Sequence, residues 1–348
     1  MTEPGRVWLA PGYSIAPVIN GCWQLTPDHG GGPASEAEIL SLFADLVDHG
    51  FTTFDCADIY TGVERLLGRF RGSLSDPDII QVHTKLVPDK ATLHQLTARQ
   101  VDAVINRSLE RLGMERLDLV QFHWWDSRVA GLDLLQECLM KAQHEGKIRL
   151  LGATNFNTRQ ARQLVEQGVP LVSMQSQYSL LDRRPEKQMI ALCRESGLHL
   201  LPYGVLAGGF LGGKYLGAQP PRQMNRSLAK YRLIIDEAGG WETYQDLLQV
   251  LSSIARKHDV PMELVAARWV LDLPEVPAII LGVGTQSRAA QNVALLNLEL
   301  DEEDRQKIRI QLSRQKIPAG DLYDLEREEH GPHAQIIKTN LQQAPPVA

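Results

Sequence analysis

Cysteine is scarce in this chain. The four residues among 348, Cys22, Cys56, Cys138 and Cys193, are widely spaced and show no metal-ligand intervals. No metal is therefore expected, and reduced thiols in a cytoplasmic protein are the simplest account. Positive charge is not in excess either. Thirty-six Lys and Arg stand against 42 Asp and Glu, for a net charge of −6. No basic footprint points to nucleic acid or an anionic membrane. No apolar run approaches the roughly 20 residues that span a bilayer. The first residues, with Glu3, Pro4 and Arg6, lack the apolar centre of a signal peptide. What is present, 43% hydrophobic and 22% charged residues, is ordinary for a globular chain. Its length suits two average domains or one large α/β barrel with insertions.

Short apolar runs alternate with helical patterns. Strands are expected at Ile15–Cys22, Phe51–Asp55, Ile79–Lys85, Leu117–His123, Ile148–Gly152, Leu171–Gln175, Leu198–Tyr203 and Ala278–Leu281. Capping boxes at Ser35/Glu38 and Thr97/Gln100 open the first and third intervening helices. Gly50, Gly113 and Gly197 close three of the helices. After strand seven, a Gly- and Pro-rich stretch at 204–240 interrupts the rhythm before helices at 241–258 and 261–273. Thr285 reads as the N-cap of a helix running through Asn297, and Asp301–Gln315 as an extra surface helix. The Pro-, Gln- and charge-rich tail, 330–348, reads as loosely held. Eight such units predict one (β/α)₈ barrel domain, 1–348, with the barrel at about 15–315. An open doubly wound sheet is the structural rival, because strand order cannot be read from one sequence.

In a barrel the C-terminal ends of the strands share one rim, where chemistry is placed. Asp55, Lys85 and His123 end three successive strands, and Tyr60 lies in the loop after the first. An ammonium beside a phenol favours the phenolate and lowers its pKa from about 10. Asp55 would keep Lys85 charged, and His123 would hydrogen-bond a substrate oxygen. One such residue reads as a structural ion pair; four on one rim read as a catalytic site.

These residues, with Gly21-Cys22-Trp23, Gly62, Glu64, Gly68, Gly152-Ala-Thr-Asn155, Gln175-Ser-Gln-Tyr178 and Pro202-Tyr203, resemble the aldo-keto reductases over roughly positions 15 to 300. The resemblance implies a barrel enzyme that reduces an aldehyde or ketone with a nicotinamide. Asp55, Tyr60, Lys85 and His123 match the family's catalytic residues. Asn155 and Gln175 match the residues that hold the nicotinamide carboxamide, and Tyr203 matches the aromatic that stacks on its ring. Further cofactor contacts are implied at Gly21, Cys22, Trp23, Asp55, Thr154, Gly204, Val205, Leu206, Ala207, Gly208, Lys214, Arg226, Gly282, Gly284, Arg288, Gln291 and Asn292. Substrate contacts are expected from Trp23, Tyr60, His123 and Trp124, with Asp126 and Arg128 favouring a polar, oxygen-rich carbonyl. Gly204 stands where serine is usual, Gly284 where Arg or Ser often appears, and Gln291 where Glu contacts adenine. NADP (as NADPH) is the expected cofactor, with NAD the alternative.

Two glycine motifs mislead. Gly208–Lys214 has P-loop spacing, but Tyr215 replaces the Mg²⁺-binding hydroxyl. Gly282-Val-Gly284 opens like a dinucleotide fingerprint, yet Ser287 takes the third glycine position, in the last βα unit rather than the first. The 204–240 insertion is expected to close over the cofactor, with Lys214 and Arg226 reaching its phosphates. Two other functions fit the same residues. One is a cofactor-sensing subunit like the potassium-channel β-subunits, and the other is oxidation of a sugar or alcohol. A homo-oligomer is left open.

Overall fold

The computed structural model describes residues 5–26 and 35–340. An antiparallel hairpin, β1 (Val7–Ala10) and β2 (Tyr13–Ile15), precedes the barrel. Eight parallel strands follow: β3 (Val18–Gly21), β4 (Thr53–Asp55), β5 (Gln81–Leu86), β6 (Leu117–Phe122), β7 (Ile148–Thr154), β8 (Leu171–Gln177), β9 (His199–Tyr203) and β10 (Ile279–Gly282). They pair in chain order, and β10 returns to pair with β3. β9 and β10 then lie side by side and nearly close the barrel. The expected first strand, Ile15–Cys22, is split because Pro17 has no N–H for the ladder.

Helices cover the outside: α1 (Glu36–Asp48), α2 (Val63–Ser73), α3 (Ala98–Leu112), α4 (Leu132–His144), α5 (Thr158–Glu166), α6 (Met189–Ser196), α7 (Arg226–Glu237), α8 (Gly240–His258), α9 (Met262–Leu271), α10 (Ala289–Asn297) and α11 (Glu302–Ser313). Both predicted capping boxes form, and Asn157/Gln160 and Asp301/Asp304 make two more. α2 and α3 meet at Gly68, where a Cβ would lie 2.1 Å from the Arg111 carbonyl oxygen, so only glycine fits. Among the described residues, no helix is long and apolar enough to cross a membrane.

The core has two parts. Between strands and helices lies a large cluster that includes Phe43, Phe54, Phe70, Phe122 and Phe156. Inside the barrel, Ile19, Leu119, Leu201 and Ile280 meet Leu9, Tyr13 and Ile15 of the hairpin, which plugs the N-terminal mouth. The Tyr13 hydroxyl lies 3.1 Å from Nε2 of His83, and burial holds that imidazole neutral, with a pKa of about 3. The barrel is therefore sealed at one end and open for chemistry at the other.

Three expectations are corrected. The 204–240 stretch contains a full helix, α7, capped by the Asn225 side chain, which accepts from the Leu228 N–H at 2.9 Å. The helix expected from Thr285 begins only at Ala289, leaving 285–288 as loop. The expected loose tail from 330 is ordered as far as residue 340, and the chain before it from 320 is too. Two short helices, α12 (Asp324–Arg327) and α13 (Pro332–Gln335), lie across the open mouth. Asp321 accepts from the Thr158 N–H at 2.7 Å, and Asp324 accepts from the Asn157 amide at 3.0 Å. The Lys90 N–H donates to the Thr339 carbonyl at 2.9 Å. Residues 341–348 of the expected tail lie outside the described residues.

Candidate active site

Parallel register sets the rim. Asp55 closes β4 opposite Gly21, Lys85 sits in β5 opposite Gln121, and His123 follows β6 directly. Lys85 donates to Oδ2 of Asp55 at 2.5 Å and to the Cys56 carbonyl at 2.8 Å. Oδ1 of Asp55 accepts from the side-chain amides of Gln175 at 2.7 Å and Gln121 at 3.2 Å. The carboxylate is thus fully engaged, and both it and the ammonium are buried. The loop carrying Tyr60 is pinned from below. Arg111 donates to the Asp58 carbonyl and to Glu64, both at 3.2 Å, and Thr84 donates to Glu64 at 2.8 Å. Tyr60 packs against Trp23, ring centroids 4.7 Å apart, and the Lys85 ammonium lies 5.1 Å from the Tyr60 ring centre.

The electrostatics differ from the expectation in one respect. Burial pushes the Tyr60 phenol well above its ordinary pKa, and the Asp55 carboxylate adds to this; the nearby ammonium does not reverse it. The direction favours the protonated phenol. His123 is also uncharged: burial, with the Arg327 guanidinium acting the same way, lowers its pKa to about 3. Its Nδ1 lies 2.9 Å from the Thr154 carbonyl, and a carbonyl only accepts, so the ring hydrogen is on Nδ1.

These groups open into a cavity of about 670 Å³, within the usual range for small-molecule sites. Of the expected cofactor contacts, Gly21, Trp23, Asp55, Thr154, Asn155, Gln175, Tyr203, Gly204, Val205, Leu206, Gly208, Arg226, Gly282 and Arg288 line it. Cys22, Ala207, Lys214, Gly284, Gln291 and Asn292 do not. Lys214 is exposed, with its ammonium 5.4 Å from the ring centre of Tyr215. Trp124 is turned away, its indole N–H donating to the Val129 carbonyl at 3.2 Å, and Trp125 faces the cavity instead. Asp126 and Arg128 pair with each other at 2.7 Å outside it. Several lining residues escaped the sequence reading: Lys230 and Tyr231 from α7, and Tyr323 and 336–338 from the C-terminal segment. The apolar spacing of Leu228, Tyr231, Ile234 and Ile235 was a signal for α7, and would have placed Lys230 beside the cofactor loop.

The sequence matches the Aldo/keto reductase family model over residues 17–312. The chain belongs to the aldo/keto reductase family. It is 27% identical over 319 residues to a probable aldo-keto reductase 1 of Glycine max, covering 89% of this chain and 88% of the relative. It is 30% identical over 321 residues to the chloroplastic pyridoxal reductase of Arabidopsis thaliana, covering 86% and 84%. Among solved structures, the glycerol dehydrogenase of Gluconobacter oxydans matches with a TM-score of 0.70 at 25% identity, over 89% of this chain and 95% of that one.

Aldo-keto reductases are oxidoreductases that use nicotinamide cofactors, and this member's cavity has the donor chemistry for one. Arg226, Lys230 and Arg288 are among the lining residues and can pair with phosphates, and the Lys230 ammonium lies 3.4 Å from the Tyr203 hydroxyl. Asn155, in the left-handed region at φ 58°, offers its amide beside Tyr203, whose hydroxyl donates to Asn155 Oδ1 at 2.9 Å. Both N–H groups of the Gln175 amide are spent on Asp55 and Gln121, so only its Oε1 is left for a carboxamide. The family's usual serine is replaced by Gly204 for a local reason. Gly204 has φ +68°, and a Cβ there would meet the Tyr231 hydroxyl at 2.5 Å. The Tyr231 ring also covers Gly208, so α7 is seated on the loop that follows β9.

Proposed function

We infer that the protein is an NADPH-dependent carbonyl reductase in which Tyr60 protonates the carbonyl oxygen of an aldehyde or ketone. The observation that supports this is the buried Lys85–Asp55 pair beneath Tyr60 at the inner end of a cation-lined cavity. A nicotinamide held in this cavity would supply the hydride for the carbonyl carbon. As negative charge grows on the oxygen, the Tyr60 O–H passes its proton there. The phenolate left behind is stabilised by the Lys85 ammonium, which Asp55 and the Cys56 carbonyl hold in place. Burial and the Asp55 carboxylate keep the Tyr60 proton in place until charge grows on the oxygen, and the same groups serve alcohol oxidation by microscopic reversibility. Arg288 and Arg226 are read as the phosphate contacts, and a contact from either to a 2′-phosphate is what NADPH preference would require. The four cysteines are free thiols, which suits a reducing cytoplasm.

Replacing Tyr60 by Phe tests the assignment. We expect carbonyl reduction to fall by roughly 10²–10⁴-fold with cofactor affinity preserved. Turnover within a few-fold of wild type would assign the proton to another group.

A further inference from the structure

Arg327, in the segment across the mouth, spends its guanidinium on backbone carbonyls. Nε donates to Trp125 at 3.1 Å, and Nη2 donates to Trp124 at 3.3 Å and to Asn155 at 2.6 Å. None of these bonds goes to a carboxylate, whereas the adjacent Glu326 fastens the segment through a buried pair with Arg184. Arg327 instead ties together two rim loops, the one after β6 that carries Trp124 and Trp125 and the one after β7 that begins with Asn155. Its shortest bond falls where the backbone is least at ease. Asn155 has φ 58°, in the left-handed region that residues with a side chain seldom adopt. The Asn155 N–H donates to the Gln175 carbonyl at 3.0 Å and its C=O accepts from Arg327, so this residue is anchored on both sides.

The side chain aimed by that backbone lines the cavity. Its Oδ1 accepts from the Tyr203 hydroxyl at 2.9 Å, which leaves the N–H₂ end to donate to a carboxamide oxygen. The free Oε1 of Gln175 is the complementary acceptor, so the two amides suit a carboxamide in one orientation. We propose that Arg327 is a positioning residue for the nicotinamide: its charged bond to the Asn155 carbonyl holds Asn155 left-handed and so aims the Asn155 amide at the cofactor. This rests on the nicotinamide-cofactor reading above. A charge-assisted hydrogen bond is roughly twice as strong as a neutral one, and this one is supplied from 172 positions away. Placement of the nicotinamide therefore depends on the segment being closed.

Binding separates positioning from fastening. Arg327→Met should weaken NADPH binding about tenfold while leaving ADP-ribose 2′-phosphate, the same ligand without its nicotinamide, within about twofold of wild type. NADH against ADP-ribose gives the same comparison. Arg327→Lys keeps the charge but loses the planar fork, so it should show a smaller loss of the same selectivity, and it carries the test if the Met variant does not fold. In an Asn155→Gly background the backbone reaches φ 58° unaided and the amide is gone. There, Arg327→Met should cost no further NADPH affinity. Equal losses for the two ligands, or losses that add to that of Asn155→Gly, would make Arg327 a fastener only and overturn the proposal. Failure of the wild-type protein to bind either reduced cofactor overturns the cofactor reading, and the positioning with it.

Discussion

Glu326 is the residue through which the C-terminal segment is fastened to the barrel. Both its oxygens accept from Arg184, at 3.0 and 3.1 Å, and Arg184 also donates to Asp182 at 2.9 and 2.7 Å. All three are buried. Burial alone would raise the Glu326 pKa, but the Arg184 charge and hydrogen bonds overcome it and bring it from the ordinary 4.5 to about 2. A drop of that size corresponds to about 3 kcal/mol, similar to the measured cost of breaking buried ion pairs. In Glu326→Gln, Arg184 keeps Asp182 but loses the second carboxylate, so the segment should open about 100-fold more often. Native-state trypsin cleavage after Arg327 and Lys338 reads this population when opening is fast relative to cleavage. A depressed carboxylate stabilises only while ionised. The gap between wild type and variant, followed by denaturant unfolding, should therefore be constant above pH ~5, narrow below the unfolded value of 4.5, and vanish as pH approaches 2. Equal cleavage rates at neutral pH, or a gap that does not change with pH, would refute the reasoning.

Further outcomes follow from other sites. Gly204→Ala should destabilise by about 1–2 kcal/mol, from left-handed strain and the Tyr231 clash. Adding Tyr231→Ala should relieve the clash but not the strain, and a double-mutant cycle in urea measures the difference. Arg288→Gln should weaken NADPH binding more than NADH binding by fluorescence titration, whereas exposed Lys214→Ala should leave both unchanged; the reverse result would return the phosphate contact to Lys214. Because Tyr60 titrates well above 10, the rate of reduction at saturating substrate should show no loss assignable to the phenol up to pH 9.

Three of the rim residues were legible in the sequence from strand ends, and Tyr60, in the loop after β4, from the resemblance. Asp55, Lys85 and His123 fall near the ends of three apolar runs, and parallel pairing sets Asp55 beside Gly21 and His83 and Lys85 beside Gln121, on one rim. What the local pattern could not give was contact between distant segments. α7 was hidden by the glycines and prolines before it, although its apolar spacing was present. The C-terminal segment is polar in composition and looked solvated. Its polar residues face partners far away in sequence, such as Arg184 for Glu326, 142 positions away, and the Asn155 carbonyl, 172 positions away, which accepts from Arg327 at 2.6 Å. The sign of the Tyr60 shift was also out of reach. A sequence shows that an ammonium is near, but not how much water the fold removes.

The segment across the mouth also separates two things that the chain encodes far apart. The four rim residues are all in place by position 123, whereas part of the wall around His123, the Tyr323 ring, comes 200 residues later. Trimming the C-terminus to improve crystals would keep all four rim residues in the chain but remove the Tyr323 ring and the Arg327 charge that bear on His123, and with them part of the cavity wall. Substrate screens on such shortened versions would describe a different enzyme.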